Sequence, residues 1–258
     1  MRIVCLCLFL LFTSSLWAKD IKLEIEDMTA SVNSRYTVTD KISPWYLFHN
    51  LLANRDSSRI VVNNESIPTI QWLSVYDPVY DGIKIYADSN KFSNSGRDTA
   101  LEGHKGQFSA ILSEINIPLS HELIANGKIS NFGEFIDHLK KNIGNTRELT
   151  WVLWALYKHT GYDEMWESSD GRMWDMSKIV SIECEEPIVG AACGGNHRVS
   201  VLYKARKHYG LDGGVWLVID SKIDSHIKLA KRLQNRDGSF SSKFYLGGER
   251  SNDTIMRI

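Results

Sequence analysis

The chain has 258 residues, with 30 Lys and Arg against 31 Asp and Glu and a formal charge of −1. That balance gives no electrostatic reason to expect nucleic acid or anionic lipid as a partner. The length allows one large core or two domains, and nothing in the composition points to a low-complexity or fibrous chain.

Residues 1–18 read as an export signal. Arg2 supplies the positive start, and Ile3 to Phe12 is an apolar run too short to span a bilayer. Ala18 closes a small-residue cleavage region, although Leu16 suits it less well. The mature protein is therefore expected to begin near Lys19, in the periplasm or outside the cell, with no stable membrane span. An uncleaved N-terminal anchor is the alternative. Cys5 and Cys7 belong to the leader, leaving Cys184 and Cys193. In an oxidising compartment these two are candidates for a bridge; two free thiols or a metal ligand are the other readings.

Residues 19–100 form an N-terminal region, irregular and partly helical. The stretch 19–43 is mixed and polar, and weak order or a peripheral arm is expected there. Pro44 opens a helix with Trp45, Phe48 and Leu52 on one face. NRDSS and NNES mark 54–69 as loop. Residues 70–86 carry strand-forming side chains interrupted by Asp77-Pro78 and Asp81-Gly82, and 87–100 is a polar loop.

Residues 101–258 form the second region, and from 102 on they read as helices alone. Three helices, expected near 104–116, 147–160 and 196–209, open with polar side chains in EGHKGQF, ELTW and CGGNHR. Their starts lie about 45 residues apart, a repeat period. Leu149 to Tyr157 is apolar almost all round, the mark of an enclosed helix; 106–115 is similar. Two others carry a single apolar stripe: Phe132, Phe135, Ile136, Leu139 and Ile143 in one, and Val215, Ile219, Ile223, Ile227, Ala230 and Leu233 in the other. Inner helices alternating with outer ones are what an α/α toroid requires; an open α-solenoid shows the same alternation. The fold expected is thus all-α in the main, an incomplete helical toroid with a small irregular N-terminal region.

If the inner helices are parallel, their starts share one end, where aligned dipoles favour an anionic group. His104, Glu148, Cys193, His197 and Arg198 would line one cavity there. Cys193 and His197 are four residues apart and suit one metal, with His104 as third ligand; zinc is the ion such a set takes. The plainer reading has Gly194 and Gly195 making a turn, Asn196 capping the helix, and His197 bonded to a loop. Glu148 is a candidate general base beside His197, or simply a carboxylate at a helix start. Arg198 is a candidate clamp for a carboxylate or phosphate, or a partner of Glu148 or Glu102. Trp151 and Trp154 read as core, and Gln107 as a supporting donor. No nucleophilic triad, phosphate loop or nucleotide fingerprint occurs.

QNRDGSFS (234–241) is similar to the repeat motif of terpene cyclases and prenyltransferases, with Gln234 at the helix-end position and Phe240 at the aromatic one. Together, GHKGQF, ELTWVLWAL, CGGNHR and QNRDGSFS resemble a family of exported bacterial proteins of unassigned function, distant kin of the squalene-cyclase and prenyltransferase toroids. The resemblance spans 101 to about 245 and implies a pocket at the inner-helix starts. It implies an isoprenoid, glycan or peptide ligand, bound or transformed. A Cys and His zinc set would also resemble the lanthionine-cyclase toroid. The chain lacks the Asp-rich acid motif of triterpene cyclases and the Asp-x-Cys of prenyltransferases. Members of the resembled family continue into a further inner helix bearing Thr-Gly-His, so this chain, with Thr254 near its end, is expected to be short by one inner helix. Two rival functions stand beside the toroid enzyme: a non-catalytic helical-repeat binding module, and an envelope polysaccharide hydrolase or lyase.

Overall fold

A computed structural model describes residues 43–76, 79–80, 83–84, 86–88, 91–92, 104–125, 127–145, 148–191, 195–236, 238, 240, 241 and 244. The expected leader (1–18), Cys193 and the stretch around Thr254 lie outside them. The described residues divide into two compact units, one holding residues 59–67 and the other 43–58 with everything from 68 on.

The first unit is a hairpin. Strand β1 (Arg59–Val62) pairs with β2 (Glu65–Pro68). Asn63 and Asn64 both take left-handed backbone angles, φ 51° and 68°. Two such residues in a row make the tight turn whose twist matches a hairpin, and Asn tolerates it. The loop expected over 54–69 is therefore a short 3-10 turn (Arg55–Ser57) and this hairpin.

The second unit is mainly α-helical. Its helices are α1 (Pro44–Asn54), α2 (Thr69–Val75), α3 (Gln107–Glu114), α4 (Phe132–Lys141), α5 (Thr150–Leu156), α6 (Met176–Glu185), α7 (Asn196–Tyr209) and α8 (Val215–Leu233). Pro44 stands in the first turn of α1, where its missing N–H costs nothing. Four small hairpins fill connections: β3 (Val79–Tyr80) with β4 (Ile83–Lys84), β5 (Tyr86–Asp88) with β6 (Lys91–Phe92), β7 (Glu122–Ala125) with β8 (Lys128–Asn131), and β9 (Trp166–Glu167) with β10 (Met173–Trp174). The reading of 102 onward as helices alone is corrected by the last two. Asn126-Gly127 between LIA and KIS is a hairpin signal, and Gly127 has φ 74°.

The core is a row of three helices. Every residue of α3 and of α5 is buried; α5 is apolar almost all round, whereas α3 also encloses Gln107, Ser109, Ser113 and Glu114. His104, just before α3, meets Glu148, just before α5, and Ser113 at the end of α3 donates to the Ala155 carbonyl at the end of α5, 2.8 Å away. Contacts at matched ends make α3 and α5 parallel. By the same test α5 and α7 are parallel: Trp151 packs on His197 at their starts and Tyr157 on His208 at their ends.

The other helices flank this row. α4 packs on α3 and α5, α6 on α5 and α7, and α8 on α6 and α7. α4 is capped by Asn131, whose Oδ1 accepts the Glu134 N–H while Glu134 takes hydrogen bonds from Asn131 and Ser130. It buries Phe132, Phe135, Ile136 and Leu139. α6 starts at Asp175, whose carboxylate accepts the Lys178 N–H at 2.6 Å. In α8 the expected stripe is shifted: Trp216, Ile219 and His226 are buried, while Ile227 is exposed. The inward line follows steps of three and four from Trp216 to His226, and Ile227 falls one residue past it. No helix among the described residues is long and apolar enough to cross a membrane.

Candidate functional site

Two of the three inner helices begin on a left-handed glycine. Gly106 precedes α3 with φ 84°, and Gly195 precedes α7 with φ 78°. A Cβ on Gly195 would lie 2.4 Å from both Cγ2 and the carbonyl oxygen of Ile188. Glycine is therefore required there, both by backbone angle and by space. These turns set where the adjoining polar residues stand.

His104, Glu148 and His197 come together around Trp151. His104 Nδ1 donates to Glu148 Oε2 at 2.7 Å. The His104 ring stacks on Trp151 at 5.6 Å, and the His197 ring packs on Trp151 at 4.7 Å and on Trp154 at 6.2 Å. The two indoles are themselves stacked, 5.3 Å apart. Trp151 is buried, and among the described residues its Nε1 has no hydrogen-bond partner.

The electrostatics separate these groups. The hydrogen bond from His104 pulls the Glu148 carboxyl below its usual range; burial opposes this, and the charges of His104, Arg198 and His197 reinforce it. Glu148 is thus an ionised acceptor, which fixes His104 Nδ1 as the donor. His197 is pushed down to about 4, first by burial and then by the charges of His49 and His104, with Glu148 acting the other way. At neutral pH it is an uncharged imidazole, with a lone pair free to take a proton. It makes no hydrogen bond among the described residues.

Arg198 points elsewhere. It is buried, its Nε donates to Glu183 Oε2 at 2.8 Å, and its Nη1 donates to the Pro187 carbonyl at 2.6 Å. Glu183, wholly buried on α6, also accepts from the Leu149 N–H at 2.8 Å and from Thr150 Oγ1 at 2.7 Å. A carboxylate on two donors at the start of α5 satisfies groups that the helix itself leaves open. The partner of Arg198 is thus Glu183 rather than Glu148 or Glu102.

Cys193 lies outside the described residues, so the Cys193, His197 and His104 metal set is described only through its histidines. Among the described residues no group of three or more His, Cys, Asp or Glu side chains is placed to hold a metal ion. Cys184 is a buried free thiol whose burial raises its pKa. Gln107 is buried in the first turn of α3. Gln234 ends α8, and its Nε2 donates to the Gly238 carbonyl at 2.8 Å; Phe240 packs on Phe244 at 4.7 Å.

Two residues of this neighbourhood went unread in the sequence. His49 on α1 acts on His197 through its charge and belongs to no local motif. Glu183 did leave a signal, a carboxylate among Met176, Ile179, Val180 and Cys184 on the buried stripe of α6. Comparison of the chain with protein-family models, curated proteins and solved structures finds no match.

Proposed function

We propose that this protein is an exported α/α-toroid protein of the cyclase and prenyltransferase-like type. It takes an isoprenoid, glycan or peptide ligand at the starts of α3, α5 and α7 and acts on it by proton transfer. The observation that carries this reading is the meeting of an ionised Glu148, a His104 oriented by it, and a neutral His197 on one tryptophan pair. His197, held neutral by burial, takes the proton, and Glu148 orients His104 beside it. The parallel row with helices flanking it fits part of a toroid.

The commitment of Arg198 to Glu183 removes the obvious clamp for a diphosphate. A ligand read by hydrogen bonds therefore fits better than a prenyl diphosphate, which favours the glycan or peptide classes. The second reading, a non-catalytic binding module, uses the same residues without turnover.

The test is tryptophan fluorescence, since Trp151 and Trp154 pack on His197. Farnesyl diphosphate, a chito-oligosaccharide and a short peptide are titrated into the wild type and into His197→Ala. The expected result is saturable quenching by the oligosaccharide or the peptide, lost in the variant while circular dichroism is unchanged. Quenching without product formation would favour the binding module. Equal quenching in a folded His197→Ala protein would overturn the site.

A further inference from the structure

A concavity lies beside the start of α7, next to Asn196. It is a groove of about 480 Å³ between residues 187–189 and the flank of α8. That is within the range of small-molecule sites. Ile188, Val218 and Leu229 give it an apolar wall. Its ionisable lining groups are Lys222, Arg232 and His226, with no carboxylate among them. Lys222 donates to the Glu186 carbonyl at 2.7 Å, which ties it to the end of α6. Arg232 is exposed and makes no ion pair or hydrogen bond among the described residues.

His226 is the second, independent observation. It is only 8% exposed. Its Nε2 lies 3.1 Å from Asn196 Oδ1, an acceptor, so Nε2 carries the hydrogen and Nδ1 is left as a lone pair. That Nδ1 is buried and has no partner among the described residues. Buried polar atoms are nearly always satisfied, so an unmatched acceptor in a groove wall calls for a donor from outside the chain.

We propose that this groove binds a single-chain amphiphile of the hydroxyalkanoate class. The acyl chain lies along Ile188, Val218 and Leu229. The carboxylate sits between Lys222 and Arg232, and the hydroxyl beside it donates to His226 Nδ1. Each part answers one feature: the apolar wall, the two uncompensated cations, and the orphan acceptor. The groove adjoins the helix-start site through Asn196 and Ile188, but its lining side chains are not His104, Glu148, Trp151 or His197, so different variants test the two proposals.

Isothermal titration with 3-hydroxydodecanoate, below its micelle concentration, tests this. One-to-one binding is expected. Dodecanoate, lacking the hydroxyl, should bind about fivefold more weakly. Dodecyltrimethylammonium, with the opposite charge, should not bind. The double variant Lys222→Gln/Arg232→Gln changes exposed or half-exposed side chains and should fold normally while losing about tenfold or more in affinity. His226→Phe should bind both carboxylates alike; if it unfolds, the dodecanoate comparison on wild type still decides the hydroxyl's role. No binding, equal binding of the ammonium compound, or unchanged affinity in a folded double variant would overturn the proposal. So would binding only to phosphatidylglycerol vesicles, which would make the patch a membrane contact.

Discussion

The two ends of the α3–α5–α7 row handle buried charge in opposite ways. At the finishing end, Glu114 is almost fully buried and saturated: Arg55 donates to it at 3.0 Å, Lys204 at 2.8 Å and Trp154 Nε1 at 3.0 Å. Lys158 beside it is bonded to the Ser113 carbonyl and to Asn116. At the starting end, Glu183 is equally saturated, but the layer above it is not. Among the described residues His197 has ring contacts and no hydrogen bond and the Trp151 N–H has no partner, while the nearby Glu148 is 38% exposed. Saturated carboxylates hold helices together. Incomplete pairing in a partly open layer is what a ligand can complete. The contrast separates structural charges from site charges, and it can be broken by mutation.

The largest effect is expected at Glu183. Glu183→Ala strands the Arg198 charge in the core and opens two donors at the start of α5. A loss of about 3–5 kcal/mol is expected in urea unfolding, typical for one half of a buried pair. Adding Arg198→Leu should recover part of it, because the two changes share one interaction. A loss under about 1 kcal/mol would mean that Glu183 is not structural and would dissolve the contrast.

Glu114→Gln comes next, at about 2–3 kcal/mol, since Arg55 and Lys204 can turn partly to water. Burial alone would raise this carboxyl, but the hydrogen bonds from Lys204 and Trp154 and the charges of Lys204 and Lys158 outweigh it and hold it below the ordinary value. The sign follows from that. A depressed carboxyl stabilises fully above its unfolded-state value, and the contribution is lost as pH falls through the folded-state one. The wild type should therefore lose its advantage over Glu114→Gln on acidification below about pH 4.5. An advantage that persisted to pH 2 would contradict the assignment.

The difference between the ends was only partly legible in the sequence. Helices α3 and α5 announce themselves through enclosed, mostly apolar runs and α7 through its polar CGGNHR start, and all three fall close to where the repeat puts them. α3 begins later than expected because Gly106 makes the turn before it. α6 was missed because Glu183 interrupts its apolar stripe, and the α8 stripe was misplaced because a histidine stands at an inward position. Both misses have one cause. A buried polar residue with a distant partner looks exposed to any rule based on periodicity. The pairing of Arg198 with Glu183 lies across two helices and leaves no local trace. The pairing of His104 with Glu148 was readable only through the repeat that places helix starts side by side.

His197 should show a smaller effect of opposite sense. Its folded-state value of about 4 lies below the ordinary 6.5. Between those values the unfolded chain binds a proton that the folded chain does not, so stability falls as pH drops from 6.5 towards 4. His197→Gln removes that term. At pH 5 the variant should gain on the order of 1–2 kcal/mol relative to its standing at pH 7.5, allowing for the exposed part of the ring. Unfolding curves at the two pH values test this. A pH-independent difference would mean that His197 is not held neutral by burial.

The smallest stability change is expected at Glu148, and for the contrast it is the most diagnostic. Glu148→Gln keeps the shape of the side chain and removes its charge. Being part-exposed, the residue should cost no more than about 1 kcal/mol, unlike Glu183 and Glu114. Its effect should appear on His104 instead. The ionised carboxylate accepts only, so it holds the hydrogen on Nδ1. The amide in the variant can offer either an oxygen or a nitrogen, and the preference for one tautomer weakens. Nitrogen-15 NMR of the imidazole reads this directly: one tautomer is expected in the wild type and a mixture in the variant. If His104 keeps a single tautomer in Glu148→Gln, another group orients it, and the carboxylate is a helix-start charge without a part in positioning the histidine. If the variant unfolds instead, Glu148 belongs with the saturated carboxylates, and the two ends of the row no longer differ.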